Sequence, residues 1–528
     1  MEDVLAAIDI GTNSFHLLVA RVTGGNRFEI VAREKEMVRL GSGSGDMKAL
    51  RPDAIDRGVD ALRRFRQIAE ISTTSIRAVA TSAVREAENR EEFLGRARAE
   101  AGIDIDVISG VEEARLIHLG VLQSVPIFDQ RLVLIDVGGG STEVLVGQAG
   151  VVIEARSVKL GAIRLTDRFF SREPVRRRDV EACRQFVKSY LNPVARDVRR
   201  HGFEVAVGSS GTIQSIAEMV QAGWGESSAR SVGNAVFSRA ELVAVVDALA
   251  GARTAQARLE IPGLDPRRAD IILAGAILLE QAFAEIGIES MTVSDFALRE
   301  GVILDSLQRA RSATLHHLAD IRRESVLHLA DSCPEERDHA EHACDLALQL
   351  YDATADLHGL DEVCREHLEA AALLANVGLT IAHARHHLHS YYIIRNTEHL
   401  AGFTEREVEL IAQIARYHRK SEPKAKHEEF SRLSDLDQAT VRTLSGIVRL
   451  AFGLDRTHAG VVRSISARRS GHSLTLELHT NGTDPSLELY TADERKDLFE
   501  GTLGIELAFE VVVDEVDGEV RTPVPSTV

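Results

Sequence analysis

The sequence predicts an α/β protein: two related α/β domains facing each other across a cleft, then an all-helical domain, then a small C-terminal α+β domain. Three observations predict it. Strand-like and helix-like stretches alternate up to about residue 305, the pattern of layered α/β folds. The segment Ile8–Val19 recurs as Ile135–Val146 with six of twelve positions identical, Asp, Gly and Ser among them. From 316 to 427 the strand signal stops, and β-like runs return only beyond about 440.

The elements follow in order. Val4–Ile10 and Phe15–Val22 are β-branched runs joined by Gly11, Thr12, Asn13 and Ser14, a hairpin signal, and Phe28–Leu40 reads as a third strand. Ala54–Ile71 carries Ile55, Val59, Leu62, Ile68 and Ile71 at helical spacing. Ser75–Thr81 and Ile103–Ile108 read as strands, Glu112–Leu122 as a helix, and Arg131–Gly147 as a second strand–turn–strand unit around Gly138, Gly139, Gly140 and Ser141. A third turn, through Ser210, Gly211 and Thr212, leads into the helical pattern Ile213–Val220. The late β runs are Val461–Ser466, Ser473–Leu478 and Ile505–Val513, followed by an acidic stretch and a proline-containing tail. The expected domains are 1–124, 125–308, 309–440 and 441–528.

Composition narrows the function classes. The 528 residues are 44% hydrophobic, enough for several packed cores, and carry a net charge of −18. A non-specific nucleic-acid binder has the opposite excess, so no nucleic-acid partner is expected, and a polyanionic substrate must meet local cations or a bridging metal. Four cysteines without a CxxC pair make neither a disulfide scaffold nor a structural zinc site. The longest charge-free apolar run, Ala370–Ala382, falls short of the ~20 residues a bilayer needs, and the N-terminus lacks a basic signal region. A soluble, cytoplasmic protein without a membrane partner is expected.

The chemistry is expected at the turns. Glycine lets the backbone approach a ligand closely, and successive amides pointing one way bind phosphate oxygens. Ser14, Ser141 and Thr142 add hydroxyls, and the Ser210–Thr212 turn adds a helix N-terminus. Asp9, Asp136 and Glu143 flank the turns. Carboxylate and phosphate repel, and a Mg²⁺ ion taking oxygens from both resolves the conflict. Asp136 also reads as a turn cap. Glu112 and Glu113 are adjacent on one helix and point about 100° apart, so at most one faces a cleft as a base; the alternative is an ordinary acidic helix start.

Five segments in this order, Asp9-Ile-Gly-Thr-Asn-Ser-Phe-His16, Ser109-Gly-Val-Glu-Glu-Ala-Arg115, Asp136-Val-Gly-Gly-Gly-Ser-Thr-Glu143, Ser210-Gly-Thr212 and Ser294-Asp-Phe-Ala-Leu-Arg-Glu-Gly301, resemble the exopolyphosphatase and guanosine pentaphosphate phosphohydrolase family. That family is a branch of the actin, hexokinase and sugar-kinase fold. The resemblance implies two actin-like (ribonuclease H-like) domains, Glu113 as general base, Asp136 and Glu143 at the Mg²⁺ and phosphate site, and phosphate contacts from the three turns and Arg85. Phe296 stands where the family commonly has glycine, which leaves the geometry of that loop open.

The region 316–427 holds fourteen of the twenty histidines and resembles the HD-type domain of longer family members. No His-Asp dipeptide occurs there, and Ala375-Asn376 stands in its place, so a metal-free scaffold is expected. Its basic residues Arg385, Arg395, Arg416, Arg419, Lys420, Lys424 and Lys426 read either as a solvated face or as a wall guiding a phosphate chain. In the second case, neutralising Arg416, Arg419 and Lys420 weakens long substrates more than short ones.

The expected function is Mg²⁺-dependent exopolyphosphatase action on inorganic polyphosphate, with guanosine pentaphosphate hydrolysis as the alternative at the same reaction centre. An ATP-dependent kinase or ATPase of this fold, or a non-catalytic polyphosphate sensor, fits the motifs less well. The resemblance also implies a homodimer.

Overall fold

The structure, a computed structural model, describes residues 4–24, 27–42, 48–125, 127, 129–224, 235–310, 316–333, 336–397, 400, 402–480 and 482–513. The acidic stretch and proline-containing tail after Val513 lie outside them. The chain forms two compact units, Met1–Ala319 and Asp320–Val528.

The first unit holds two sheets of matching topology. In one, β1 (Val4–Ile10), β2 (Phe15–Gly24), β3 (Arg27–Glu36), β4 (Ile76–Ala80) and β5 (Ile105–Val107) run in the order β3-β2-β1-β4-β5. In the other, β6 (Leu132–Val137), β7 (Thr142–Gln148), β8 (Val151–Val158), β9 (Val205–Ser209), β10 (Val236–Ser238) and β11 (Ser290–Val293) run in the order β10-β11-β9-β6-β7-β8. β1 pairs antiparallel with β2 and parallel with β4; β6 pairs antiparallel with β7 and parallel with β9. The repeat read in the sequence is thus a repeat of fold, and in it His16 occupies in β2 the place that Glu143 occupies in β7: His16 lies opposite Asp9, and Glu143 opposite Asp136.

Strand alternation decides which side chains face inward between the sheets. Ile8 and Ile10 of β1, and Val133 and Ile135 of β6, belong to the outer cores of their lobes. Ala7, Leu18, Leu134 and Leu145 belong to a central core between the sheets, so period two carries Asp9, His16, Asp136 and Glu143 to that same side. Two helices share the central core, Gly110–Ser124 and Leu298–Ala310, through Ile117, Val121, Leu298 and Val302. They approach unusually closely. A Cβ at Gly301 would lie 1.8 Å from the Leu116 carbonyl oxygen, and one at Gly120 would lie 2.3 Å from that of Ala297.

The second unit packs the helices Arg337–Ala353, Glu362–Leu374, His386–Asn396, Glu405–Arg416 and Asp435–Leu454 with a sheet of β12 (Val462–Ser470), β13 (Ser473–Thr480) and β14 (Glu506–Val513). One core joins Leu350, Leu374, Ile411 and Ile447 to Leu476 and Leu478 of β13. The helix Asp435–Leu454 runs through residue 440. Of the basic residues read as a possible guiding wall, Arg395 pairs with Glu409 at 2.7 Å and Arg416 with Glu429 at 2.9 Å.

Candidate functional site

Ligands of open α/β sheets bind beyond the carboxyl ends of the strands, and here the turns after β1, β6 and β9 meet at one cleft. Gly11, Thr12, Asn13, Ser14, Gly138, Gly139, Gly140, Ser141, Ser210, Gly211 and Thr212 all line it, with Asp9, Glu113 and Asp136. The first two turns are built alike: the Gly11 amide donates to Ser14 O at 3.2 Å, and the Gly138 amide to Ser141 O at 3.0 Å.

Their carbonyls are occupied from behind. Thr12 O and Asn13 O accept from the amides of Gly41 (3.1 Å) and Arg39 (2.8 Å). Gly138 O accepts from the Ala162 amide (2.9 Å), Gly139 O from that of Ile163 (2.9 Å), and Gly140 O from Arg164 Nε (2.9 Å). With the oxygens turned away, the amides of Thr12, Asn13, Gly139 and Gly140 have no protein partner among the described residues, the arrangement of an anion nest. Gly161 makes this possible: a Cβ there would lie 2.3 Å from Gly139 O. In the third turn Ser210 has φ +125°, strained for a residue with a Cβ, while its hydroxyl caps the helix Gly211–Met219 through the Ile213 amide (3.3 Å). Gly211 leaves room for Arg268, whose Nη2 would lie 1.8 Å from a Cβ at that position.

The two adjacent glutamates separate. Glu112 is fully buried in a network with Arg115 (Nη2 to Oε1, 2.7 Å), which also binds Asp305 (2.6 Å). Glu113 faces the cleft, and its Oε2 accepts from Arg85 Nη1 at 3.1 Å. Burial raises its pKa, while Arg85 and a hydrogen bond from Thr81 oppose the rise. Arg85 is therefore placed on Glu113 and does not line the cleft; its Nη1 also donates to Ile108 O (2.8 Å). Thr142 is likewise not on the wall, its hydroxyl donating to Leu160 O (2.8 Å).

Asp9, Asp136, Glu143 and Glu113 form one acidic group. Burial and then Glu113 push Asp9 up to about 7; the same two causes raise Asp136 and Glu143 well above the ordinary range. Glu143 lies behind the wall. Its Oε1 accepts from Ser157 (2.8 Å), and its Oε2 is a buried oxygen without a partner, as is Asn13 Oδ1. Hard oxygen donors, unpartnered buried oxygens and mutual repulsion suit a divalent cation, whose charge reverses the pKa logic. Among the described residues, no three of these carboxylates bring an oxygen each within 4.8 Å of one another, so an ion here would draw on water or phosphate oxygens as well.

Four titratable cleft residues escape a reading of the turns: His16, Lys35, Arg268 and Arg299. Arg299 donates to His16 Nδ1 (2.8 Å), so the neutral ring carries its proton on Nε2 and donates to Ser14 Oγ (2.9 Å). Burial and then Arg299 hold the His16 pKa well below normal, consistent with that tautomer. The Ser14 hydroxyl hydrogen is thereby left to point at a ligand. Lys35, opposite His16 in β3, is lowered to about 8 by partial burial and then by the charges of Arg268, Arg267 and Arg299. The repeat alignment could have flagged His16, and Arg299 lies within the Ser294–Gly301 segment; nothing local marks Lys35 or Arg268, which tertiary folding alone brings to the cleft. Phe296 does not need glycine's freedom: its φ is negative, and its ring stacks on Phe28 (centroids 6.0 Å) beneath Arg33 (5.8 Å).

Comparison with known proteins adds two family matches and a set of solved structures. Residues 18–310 match the Ppx/GppA phosphatase family and residues 321–492 match domain III of that family. A crystal structure of an exopolyphosphatase from Cytophaga hutchinsonii is 31% identical, covering 58% of this chain and 98% of its own, with a TM-score of 0.54. An Aquifex aeolicus member of the Ppx/GppA family is 28% identical, covering 58% and 98%, with a TM-score of 0.50.

Proposed function

Because this chain belongs to the Ppx/GppA phosphatase family and is a phosphoric anhydride hydrolase of the actin-like fold, we propose that it is an exopolyphosphatase removing terminal phosphate from inorganic polyphosphate. The observation that carries this reading is the convergence of three amide-lined turns and one buried, cleft-facing glutamate on a single cleft with Lys35, Arg268 and Arg299. Phosphoryl transfer needs positioning and charge stabilisation more than covalent help. The turn amides hold the terminal phosphoryl group, and the cations meet the following phosphates. Glu113, its basicity raised by burial and moderated by Arg85, takes a proton from the attacking water. Asp136 and Asp9, with Glu143 behind them, would hold a Mg²⁺ ion, which would supply charge neutralisation. The solved exopolyphosphatase from Cytophaga hutchinsonii supports polyphosphate as the substrate.

The experiment is phosphate release from long-chain polyphosphate, guanosine pentaphosphate and ATP, side by side, with and without Mg²⁺. Polyphosphate leading, and only with Mg²⁺, is the expected result. A guanosine pentaphosphate lead reassigns the substrate, and undiminished turnover in chelator removes the metal role. Light scattering tests the proposed homodimer. Among the described residues no helix is long and apolar enough to cross a membrane.

A further inference from the structure

We propose that the second unit holds a transition-metal site of its own, with Glu336, His339 and His458 as ligands and Zn²⁺ as the ion that suits them. Among the described residues this is the one group of three His, Cys, Asp or Glu side chains whose donor atoms all lie within 4.8 Å of one another. Two imidazole nitrogens and a carboxylate oxygen are zinc chemistry, unlike the all-oxygen group of the first unit. A zinc ion with bonds of about 2.0–2.1 Å draws such donors closer, and three protein ligands leave a fourth position for water.

The surroundings prepare the donors. His339 is buried, and its Nδ1 lies 2.6 Å from Asp455 Oδ2. The carboxylate can only accept, so Nδ1 carries the proton and Nε2 presents its lone pair, without a protein partner among the described residues. A carboxylate behind a histidine is the usual support of a histidine ligand. Asn376 plays the same part for Glu336, donating to Oε2 at 3.0 Å and leaving Oε1. Asp455 also fixes the loop that carries the third ligand, its Oδ1 accepting from the Gly460 amide (3.2 Å). Within that loop His458 has φ +57°, a conformation that costs a non-glycine residue energy and gathers at functional sites. The His458 ring stacks on His339, with centroids 3.5 Å apart and planes within 8°, and is exposed. It has only to turn out of the stack for its lone pair to converge with the others.

The ion ties the start of the helix Arg337–Ala353 to the loop after Asp435–Leu454, two segments far apart in sequence. The expectation of a metal-free module rested on a missing dipeptide; these donors form no local motif and meet only in the fold. The site stands independently of the phosphatase reading.

The test uses the full chain, stripped with chelator and titrated with Zn²⁺ while Mg²⁺ in excess occupies oxygen-lined sites. Bound zinc is measured by mass spectrometry, and Co²⁺ substitution by its visible ligand-field absorption. One zinc per chain is expected. His458→Ala and Glu336→Gln each weaken it by at least about 100-fold, and Asp455→Asn by about 10- to 100-fold. Circular dichroism checks that each variant is folded, and His458→Ala, at an exposed position, keeps the test open if a buried variant unfolds. Absence of stoichiometric zinc in the wild type overturns the proposal. So does equal occupancy in His458→Ala and Glu336→Gln, which would assign the metal to other histidines.

Discussion

Glu113 and Lys35 show how burial and neighbouring charge set the chemistry of single groups. Glu113 sits in the cleft with its proton affinity raised by burial and restrained by Arg85. Replacing it with Gln keeps shape and removes the proposed base, so kcat for phosphate release should fall by ~10²–10⁴ with KM little changed, measured over a range of polyphosphate concentrations. A fall confined to KM would instead assign Glu113 to binding. Lys35 titrates at about 8. Its charge is present below that pH and lost above it, so KM for polyphosphate rises as pH climbs through about 8. Lys35→Arg, whose charge does not titrate there, flattens the profile. Residues on the turns were legible in the sequence because glycine and serine patterns are local. Lys35 and Arg268 were not, because only the fold brings them to the cleft; Arg299 lay inside a recognised segment, but its place beside His16 did not show there, and neither did the contacts that hold Arg85 on Glu113 and Thr142 on Leu160.

At the scale of elements, the turn after β6 depends on the segment that enters the helix Ala162–Phe169. Gly161→Ala pushes a methyl group into the Gly139 carbonyl and should cost about 1–3 kcal/mol, read from the denaturation midpoint, together with a raised KM. Gly95→Ala is the control. Nothing lies within 4 Å of a Cβ there, in the helix Arg90–Arg96, and a gain of up to about 1 kcal/mol is expected. The duplicated strands were readable as a repeat because alternation and turn chemistry agreed over twelve residues. Their ends shifted by a few positions: the strand read as Phe28–Leu40 is Arg27–Glu36, since residues beyond Glu36 turn back to bond the first turn through Arg39 and Gly41.

For the whole molecule, the division at Ala319 makes a prediction of its own. The Cytophaga hutchinsonii and Aquifex aeolicus proteins match along 98% of their own lengths yet cover 58% of this chain. A fragment of residues 1–319 should therefore fold and release phosphate, with any loss appearing as a higher KM for long chains; assay against the full chain at several chain lengths checks it. A fragment that folds but is inert would show that the second unit completes the reaction centre. The close crossing of the helices that carry Glu113 and Arg299 has a mechanical corollary. With backbone against backbone at Gly301 and Leu116, the crossing has no slack for a side chain. The two helices therefore hold Glu113 and Arg299 at a separation set by bare main chain, and a methyl group added at Gly301 should shift one against the other.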